Sequence, residues 1–492
     1  MQLIIRRIDA VLNRFTMYKV VLYGLIVLLI VTDILAFTGR ISIPPVGLLL
    51  SILVLGSVCY VANELCSRLF RVAANSESYL ITALILACIL PPASTLSRFL
   101  LLGLAGVIAM VSKYVIIWRG SHFLNPAALA AFVMTVSGLL AATWWIATPV
   151  LVPFTSLLAL VVLHKQRKFT LAFTFGITAT LMLLFIGSGL HNLNPIEVVK
   201  GAVGSWPIIF MGSIMLTEPS TLPPTRYYQV LVAMLVGVAF SSELHYGNLT
   251  ATPQTALLLG NLFTLIVAPT FGVLLKLKAI NPFSDTLYDV VFEKPKHFTF
   301  MPGQYMEFTL AHKGADIRGN RRTFSIASAP SEPELHLGTR RYDPSSTYKK
   351  ALFSMKPGRY IRAAHVAGNF ILPRNSAEPL VLIAGGIGIT PFRSMITELI
   401  HTKQHRDIVL IYVANTQQDF IYHEDFTAAQ SVGVTMHYET GRLTADHLQR
   451  LVPDIADRKA YISGPDAMVT GYKVLLRSIG VRRIRTDHFS GY

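Results

Sequence analysis

The sequence predicts an α-helical polytopic membrane domain of ten spans, built as two inverted five-helix halves, followed by an antiparallel β-barrel domain and an α/β domain. Three observations predict it. The chain has 492 residues, is 52% hydrophobic and carries only 14% charged residues, too apolar for one large soluble protein. Its acids are uneven: residues 1–275 hold only Asp9, Asp33, Glu64, Glu77, Glu197, Glu218 and Glu243, whereas 281–492 has ordinary soluble composition. After Lys278 the long apolar runs give way to short alternating ones. The expected domains are 1–278, 284–376 and 379–492.

A span needs about 20 apolar residues. The candidates are 18–37, 44–62, 78–90, 99–118, 126–142, 145–163, 169–187, 206–216, 229–242 and 255–275. An even number leaves both termini on one side. Most basic residues, among them Arg14, Lys19, Arg68, Lys165, Arg167, Lys168 and Arg226, fall on that side, against Arg40, Arg98 and Lys200 opposite. The positive-inside rule therefore places the termini and the soluble half in the cytoplasm, with the chain in the inner (cytoplasmic) membrane among lipid. The same rule accounts for the net charge of +16, so no nucleic-acid partner is expected. MQLIIRRIDAVLNRF has no small-residue cleavage site before the first span, and no cleaved leader is expected. Cys59, Cys66 and Cys88 form no C-x-x-C pair, so neither a disulfide framework nor a metal site is expected.

The third and eighth segments are too short to cross. SYLITALILACILPPAS (78–94) aligns without gaps on SWPIIFMGSIMLTEPST (205–221): Ser78 meets Ser205, Tyr79 meets Trp206, Pro92 meets Pro219 and Ser94 meets Thr221. Five helices per half make the copies run in opposite directions. Short, proline-interrupted segments at matching positions mark a site where half-helix ends meet inside the membrane. Glu218 sits at the second break. It reads either as an acid kept for a site or as an ordinary loop acid at a cytoplasmic helix end. The expected cofactor position lies between the two breaks, with Thr217, Glu218 and Thr221 as its polar groups. Asn125 and Pro126 fit the N-cap and first turn of the fifth span, with Lys113, Arg119 and His122 nearby to meet an anion.

SKYVIIWRGSHFLNPAA (112–128) and LTEPSTLPPT (216–225) resemble a family of membrane proteins shared by two redox complexes, the sodium-pumping NADH:quinone reductase and the Rnf complex. The resemblance covers most of 18–275 and implies a flavin-carrying membrane domain. Two departures matter. Glu218 stands where the family has Asp. No S-G-A-T-like stretch offers the Thr to which relatives attach FMN, since GITAT (176–180) lies inside an apolar span. What remains implied is a non-covalent FMN or riboflavin.

The soluble half opens with short alternating strands, LYDVVFE, YMEFTL and ELHLGTR, that suggest an antiparallel barrel. After Pro379, apolar strands alternate with helices, the layout of an α/β nucleotide-binding domain. Three motifs follow in order. RRTFSIASAP (321–330) offers a cation, an aromatic plane and a hydroxyl, Arg322, Phe324 and Ser325, as a flavin needs; alone it is equally an ordinary barrel strand. LIAGGIGITPF (382–392) is a strand entering glycines and then a helix near 391–403, which lets backbone N–H groups approach a pyrophosphate. YISGPDAMV (461–469) ends a strand in a Gly-Pro turn at the edge where such sheets bind ligands.

Together these motifs resemble the ferredoxin–NADP reductase family over residues 284–492. The resemblance implies FAD and NAD(P)H and carries roles onto matching residues. Gln304 and Tyr305 match the family's P-G-Q strand. Arg322, Thr323, Phe324 and Ser325 match its R-x-Y-S flavin motif, with Phe for Tyr, and Ser325 falls at the reactive ring. Ser345, Ser346 and Thr347 match the segment at the FAD phosphates. Gly385, Gly386, Gly388, Thr390 and Pro391 match the nicotinamide-nucleotide loop. Gly464 and Pro465 match the C-G-P turn, with Ser463 in place of Cys, and Phe489 matches a C-terminal aromatic placed against the flavin. YVANTQQDFIYHEDF (412–426) offers no Arg or Lys for a 2′-phosphate and leans towards NADH, while Arg442 keeps NADPH open.

The expected function is NAD(P)H oxidation by cytoplasmic FAD, with electrons passed through the membrane half to a quinone or a flavinylated extracytoplasmic protein. An alternative is a redox-driven ion pump or flavin transporter, since inverted repeats with broken helices are also a transporter design. A haem-bridged reductase would need paired histidines inside helices, and His122, His164, His191 and His245 fall at span ends or in loops.

Overall fold

The computed structural model describes residues 8, 11–12, 15–70, 76–118, 121–240, 245–246, 249–267, 272–316 and 319–489. The chain divides into two compact units, Met1–Phe271 and Gly272–Tyr492.

The first unit is helical: α1 (Met17–Phe37), α2 (Pro45–Leu69), α3 (Ser76–Ile89), α4 (Leu96–Val115), α5 (Pro126–Val136), α6 (Val152–Gln166), α7 (Phe169–Leu184), α8 (Pro195–Gly204), α9 (Ile208–Met215, mostly π-helical), α10 (Arg226–Phe240) and α11 (Pro253–Val267). Among the described residues, five helices are long and apolar enough to cross a membrane: Met17–Phe37, Pro45–Leu69, Leu96–Val115, Pro149–Gln166 and Phe169–Leu190. Pro195–Gly204 and Ile208–Met215, bent by 53°, make a sixth if read as one broken span. The remaining expected spans are shorter helices, Glu77–Ile89, Pro126–Val136, Arg226–Phe240 and Pro253–Val267. The sixth expected segment starts late. Residues 141–148 are not helical, Trp144 is left-handed at φ 50°, and Pro149 and Pro153 sit where only a first helical turn tolerates them.

The elements repeat in order. Each half contains a broken short helix (α3, α9), a longer helix (α4, α10), a two-residue hairpin and a proline-started helix (α5, α11). The hairpins are β1–β2 (Ile117–Trp118, Ser121–His122) and β3–β4 (His245–Tyr246, Leu249–Thr250). Pro126 and Pro253 are separated by the same interval as Ser78 and Ser205. Packing repeats too: α2 on α4 and α4 on α5 in one half, α7 on α10 and α10 on α11 in the other. Between halves, equivalents meet: α1 packs on α6 and α5 on α11.

The breaks have local causes. Pro91 and Pro92 cannot continue α3, and the Trp145 indole N–H donates to the freed carbonyls of Ala87 and Leu90, both at 2.9 Å. Past the break, the Ala93 N–H donates to Ser51 Oγ at 2.9 Å. At the second break the Glu218 peptide leaves the helix at φ −60°, ψ 119°, ahead of Pro219.

The second unit holds two sheets. The barrel sheet is antiparallel, with order β8-β7-β10-β5-β6-β9, where β5 is Gly272–Pro282, β6 Leu287–Glu293, β7 Tyr305–Thr309, β8 Arg321–Ser325, β9 Glu334–Arg340 and β10 Tyr360–Ala367. Alternating residues such as Leu275, Leu277, Phe292, Phe308 and Leu337 fill its core. β5 corrects the expected boundary at 278: GVLLKLKAINP is a barrel strand between β10 and β6, not the end of a span. Its alternation, with Leu275 and Leu277 inward, is hidden in the sequence because outward positions such as Leu274 are also apolar.

The second sheet is parallel, with order β13-β12-β11-β14-β15: β11 (Leu380–Gly385), β12 (Ile408–Ala414), β13 (Val434–Thr440), β14 (Lys459–Pro465) and β15 (Ile484–Phe489). β11 is buried along its whole length, as a central parallel strand covered on both faces must be. The chain leaves β11 towards β12 and later returns to its other side as β14. The switch point therefore falls between β11 and β14, the crevice where such sheets take ligands.

Candidate functional site

In the second unit the sequence-predicted groups collect at two places. The first is the β11–β14 crevice. Gly385 ends β11, Gly386–Ile389 forms a 3-10 turn, and helix Thr390–Thr402 follows with Pro391 in its first turn. Gly386 takes a positive φ of 52°. A Cβ on Gly388 would lie 2.2 Å from the Ser463 carbonyl oxygen, so only glycine allows this approach. Thr390 does not face outward: it is buried, and its hydroxyl donates to Ile387 O at 3.0 Å. Gly464 and Pro465 close the opposite lip before helix Asp466–Ser478. Beneath them the Ser463 hydroxyl is fully buried and has no hydrogen-bond partner among the described residues. An orphaned hydroxyl under a glycine cradle at a sheet switch point fits a nicotinamide nucleotide.

The second place is the β8 face of the barrel. Arg322 and Phe324 share one face and both reach Tyr348, the guanidinium 5.1 Å over its ring and Phe324 at 6.2 Å. Ser325 and the exposed Thr323 fall on the opposite face of the strand. Phe324 also packs edge-on to Phe308 at 5.7 Å, so part of its ring serves the core. Arg322 Nη2 donates to both Asp316 oxygens at 3.1 and 3.3 Å, and the Thr347 N–H donates to Asp316 Oδ2 at 3.3 Å. Arg322 and the Thr347 N–H thus converge on a single carboxylate, a donor set of the kind that also binds oxyanions. His312 Nε2 lies 3.1 Å from Thr347 Oγ1 and fixes it further. Ser346 caps its helix by accepting from Lys349 N, and the Ser345 hydroxyl donates to Tyr342 O. Gln304 is a brace, not a surface group: it accepts from Met301 N at 2.8 Å and donates to Gly368 O at 3.3 Å. Tyr305 is exposed on β7 opposite Ser325. Phe489 pairs with Pro465 through its backbone, and its side chain lies outside the described residues.

Tyr348 directly follows the Ser345–Thr347 segment and was overlooked, whereas Asp316 and His312 were not foreseeable, since HKGADI matches no motif. The same holds for Arg393, which ties the two sheets together. Its guanidinium donates to Glu332 (2.9 and 3.0 Å), Asp425 (2.7 and 3.1 Å) and Ala327 O (2.9 Å). Burial works against its charge, but the paired carboxylates hold its pKa above the ordinary arginine value. Beside it, burial and then the Asp289 carboxylate push the Tyr422 phenol well above its ordinary range, and that hydroxyl donates to Asp289 at 3.0 Å.

In the first unit a cavity opens beside the second break. Val21, Ile85 and Ile214 give it apolar walls, and Ser78, Asn125 and Glu218 give it polar ones. The Glu218 carboxylate accepts from Asn125 Nδ2 at 2.6 Å and lies 3.4 Å from His122 Nε2. Asn125 is also the N-cap of α5, accepting from Ala128 N at 2.9 Å, and its own N–H donates to Asn261 of α11 at 2.8 Å. Lys113 donates to the Ser78 hydroxyl (3.0 Å) and Thr82 hydroxyl (2.8 Å) behind the wall. Of the three expected groups only Glu218 lines the cavity. Thr217 is fully buried and donates to Ser213 O at 2.7 Å, and Thr221 turns back to Glu218 O. This cavity lies at the second break: Trp145 closes the first one, and α3 lines the cavity with Ser78, Ile81, Thr82 and Ile85.

Residues 382–473 match the family model of the oxidoreductase NAD-binding domain. An NADPH oxidoreductase of Mycobacterium tuberculosis is 28% identical over 205 residues, 39% of this chain and 53% of that protein. Ferredoxin–NADP reductase B of Sorangium cellulosum is 27% identical over 190 residues, 38% of this chain and 74% of that one. Flavohemoprotein A of Dictyostelium discoideum is 24% identical over 198 residues, 37% and 50% respectively. The chain thus spans about half the length of most of these relatives. Among solved structures, the flavohem-like FAD/NAD binding domain of a nitric oxide dioxygenase from Vibrio cholerae is 21% identical with a TM-score of 0.38, over 44% of this chain and 98% of that one. The second unit therefore carries an NAD-binding domain of the oxidoreductase type, similar to those of an NADPH oxidoreductase and a ferredoxin–NADP reductase.

Proposed function

We propose that the chain is a membrane-bound NAD(P)H oxidoreductase of the cytoplasmic membrane that passes electrons from cytoplasmic NAD(P)H through FAD into its helical unit. The terminal acceptor would be a quinone or a flavinylated extracytoplasmic protein. The observation that carries the reading is the β11–β14 crevice, where Gly388 allows backbone approach and Ser463 offers an unused buried hydroxyl. When bound, NAD(P)H supplies a hydride and FAD divides it into single electrons. The chain would supply position: the glycine turn would cradle the nucleotide, Arg322 would offset the charge of the FAD pyrophosphate with the Thr347 N–H as a hydrogen-bond donor, and Phe324 would offer one ring face.

The helical unit, in this reading, is ten segments in two inverted halves holding a non-covalent FMN or riboflavin in the Glu218 cavity. Two features support a planar ring there. First, Asn125 Nδ2 and the Glu218 carboxylate offer a donor beside an acceptor, the complement of a flavin's carbonyl and ring N–H. Second, Trp145 lies one repeat interval beyond Tyr18, and its partners Ala87 and Leu90 lie one interval before Ile214 and Thr217. In the first half an aromatic ring of the chain itself meets the broken helix with its N–H; in the second half that position is the cavity. Tyr18, Gln166 and Asn125 line it at the ends of α1, α6 and α5, where Lys165 and Lys168 gather, so it faces the cytoplasm by the positive-inside rule.

Purification followed by flavin analysis tests this. FAD and a second flavin, both released by denaturation and both reduced by NAD(P)H, are expected. FAD alone would remove the membrane half of the reading, and no NAD(P)H-responsive flavin would remove all of it.

A further inference from the structure

The Glu218 cavity contains an acid whose surroundings suit a proton rather than a metal cation. Both groups that approach the carboxylate do so through nitrogen, Asn125 Nδ2 at 2.6 Å and His122 Nε2 at 3.4 Å. Hard cations require several oxygen ligands. The Asn125 oxygen is committed to the α5 cap through Ala128 N, and the Thr221 hydroxyl turns to Glu218 O. Glu218 and His122 are each partly open, with side chains 24% and 21% exposed, so water reaches them.

The other charged or titratable groups around the cavity are few among the described residues. Tyr18 lies in its wall from α1. Lys113 of α4 donates to the Ser78 and Thr82 hydroxyls of α3, and Lys19 and Glu77, which pair at 3.9 Å, are the chain neighbours of the lining residues Tyr18 and Ser78. An electron delivered into this cavity arrives beside the Glu218 carboxylate, and like charges oppose each other unless one is neutralised.

We propose that Glu218, with His122 beside it, is the proton acceptor for electron arrival in the cavity, so that one proton from cytoplasmic water moves onto Glu218 for each electron that enters. The proposal rests on the flavin reading above. The balance is complete. NAD(P)H leaves as NAD(P)⁺, giving two electrons and one proton. The electrons enter the cavity singly, each matched by a proton taken up at Glu218. That proton is released when the electron passes to the downstream quinone or flavin acceptor. Asn125 is a positioning residue, fixing the carboxylate from the α5 N-cap.

The test is a reduced-minus-oxidised infrared difference spectrum of the full purified chain, with NADH as reductant, in H₂O and D₂O. Reduction is expected to produce a carboxylic-acid C=O band that shifts in D₂O, is lost in Glu218→Gln and persists in Glu218→Asp. Reduction of the second flavin is expected to slow about 100-fold in Glu218→Gln, the scale of a lost acid–base group, and to be insensitive to replacing sodium by potassium. A carboxylic-acid band that survives Glu218→Gln overturns the proposal, as does reduction of the second flavin with no such band. Strict sodium dependence overturns it in favour of a metal cation. If flavin analysis finds FAD alone, proposal and underlying reading fall together, and that result is distinct from the other failures.

Discussion

Arg393 shows what a single side chain does for the second unit. It sits in the helix behind the glycine turn, is nearly excluded from water, and serves two carboxylates from different elements. Removing one member of a buried charge network leaves the rest unpaired, at a cost of about 3–5 kcal/mol. Arg393→Ala is therefore expected to lower the thermal midpoint of FAD release sharply, and Arg393→Met, which keeps the packing, to lower it less. Gly388 is a second such point. A methyl there meets the Ser463 carbonyl at 2.2 Å, so the loop must move. Gly388→Ala is expected to weaken NADH binding, seen as a raised KM with FAD content retained. Gly388 was legible in the sequence because a strand–glycine–helix pattern has a physical reason. Arg393 was not, because nothing local distinguishes it from any helical arginine.

At the scale of elements, the barrel and the parallel sheet meet through Tyr422, whose phenol donates to Asp289 of β6. Burial raises its folded pKa above the unfolded value, so its contribution to stability is present below the ordinary tyrosine range and is lost as pH rises beyond it. The unit is expected to destabilise above about pH 10, and Tyr422→Phe to show a shallower alkaline fall in thermal midpoint; an unchanged fall would contradict this. The broken helices were legible as a pair because proline positions align at constant interval. Their different fates were not. Trp145 fills the first break, and no local sequence pattern marks an indole that meets the Ala87 and Leu90 carbonyls. The Glu218 cavity is accordingly lined at the second break and not at the first. The irregular start of α6 has the same origin, since Trp145, which closes the break, lies in the stretch expected to be helical.

For the whole molecule, the order of a helical unit, a barrel and a parallel sheet was readable from composition and period; two of the three nucleotide motifs lie at the switch point of the parallel sheet and the third on β8 of the barrel. The junction was misread. β5 reads as the tail of a span because its outward positions are apolar, but it is an interior strand of the barrel sheet. A fragment of residues 272–492 is accordingly expected to fold and bind FAD, whereas 284–492, lacking β5, is expected to aggregate. Equal behaviour of the two would contradict the barrel topology.

The central claim is that electrons leave the FAD for a second flavin in the helical unit. Anaerobic stopped-flow mixing of the full chain with NADH tests it most directly. The account predicts two flavin-bleaching phases, FAD first, with the second phase absent from the 272–492 fragment. A single phase, identical in the full chain and the fragment, would contradict it.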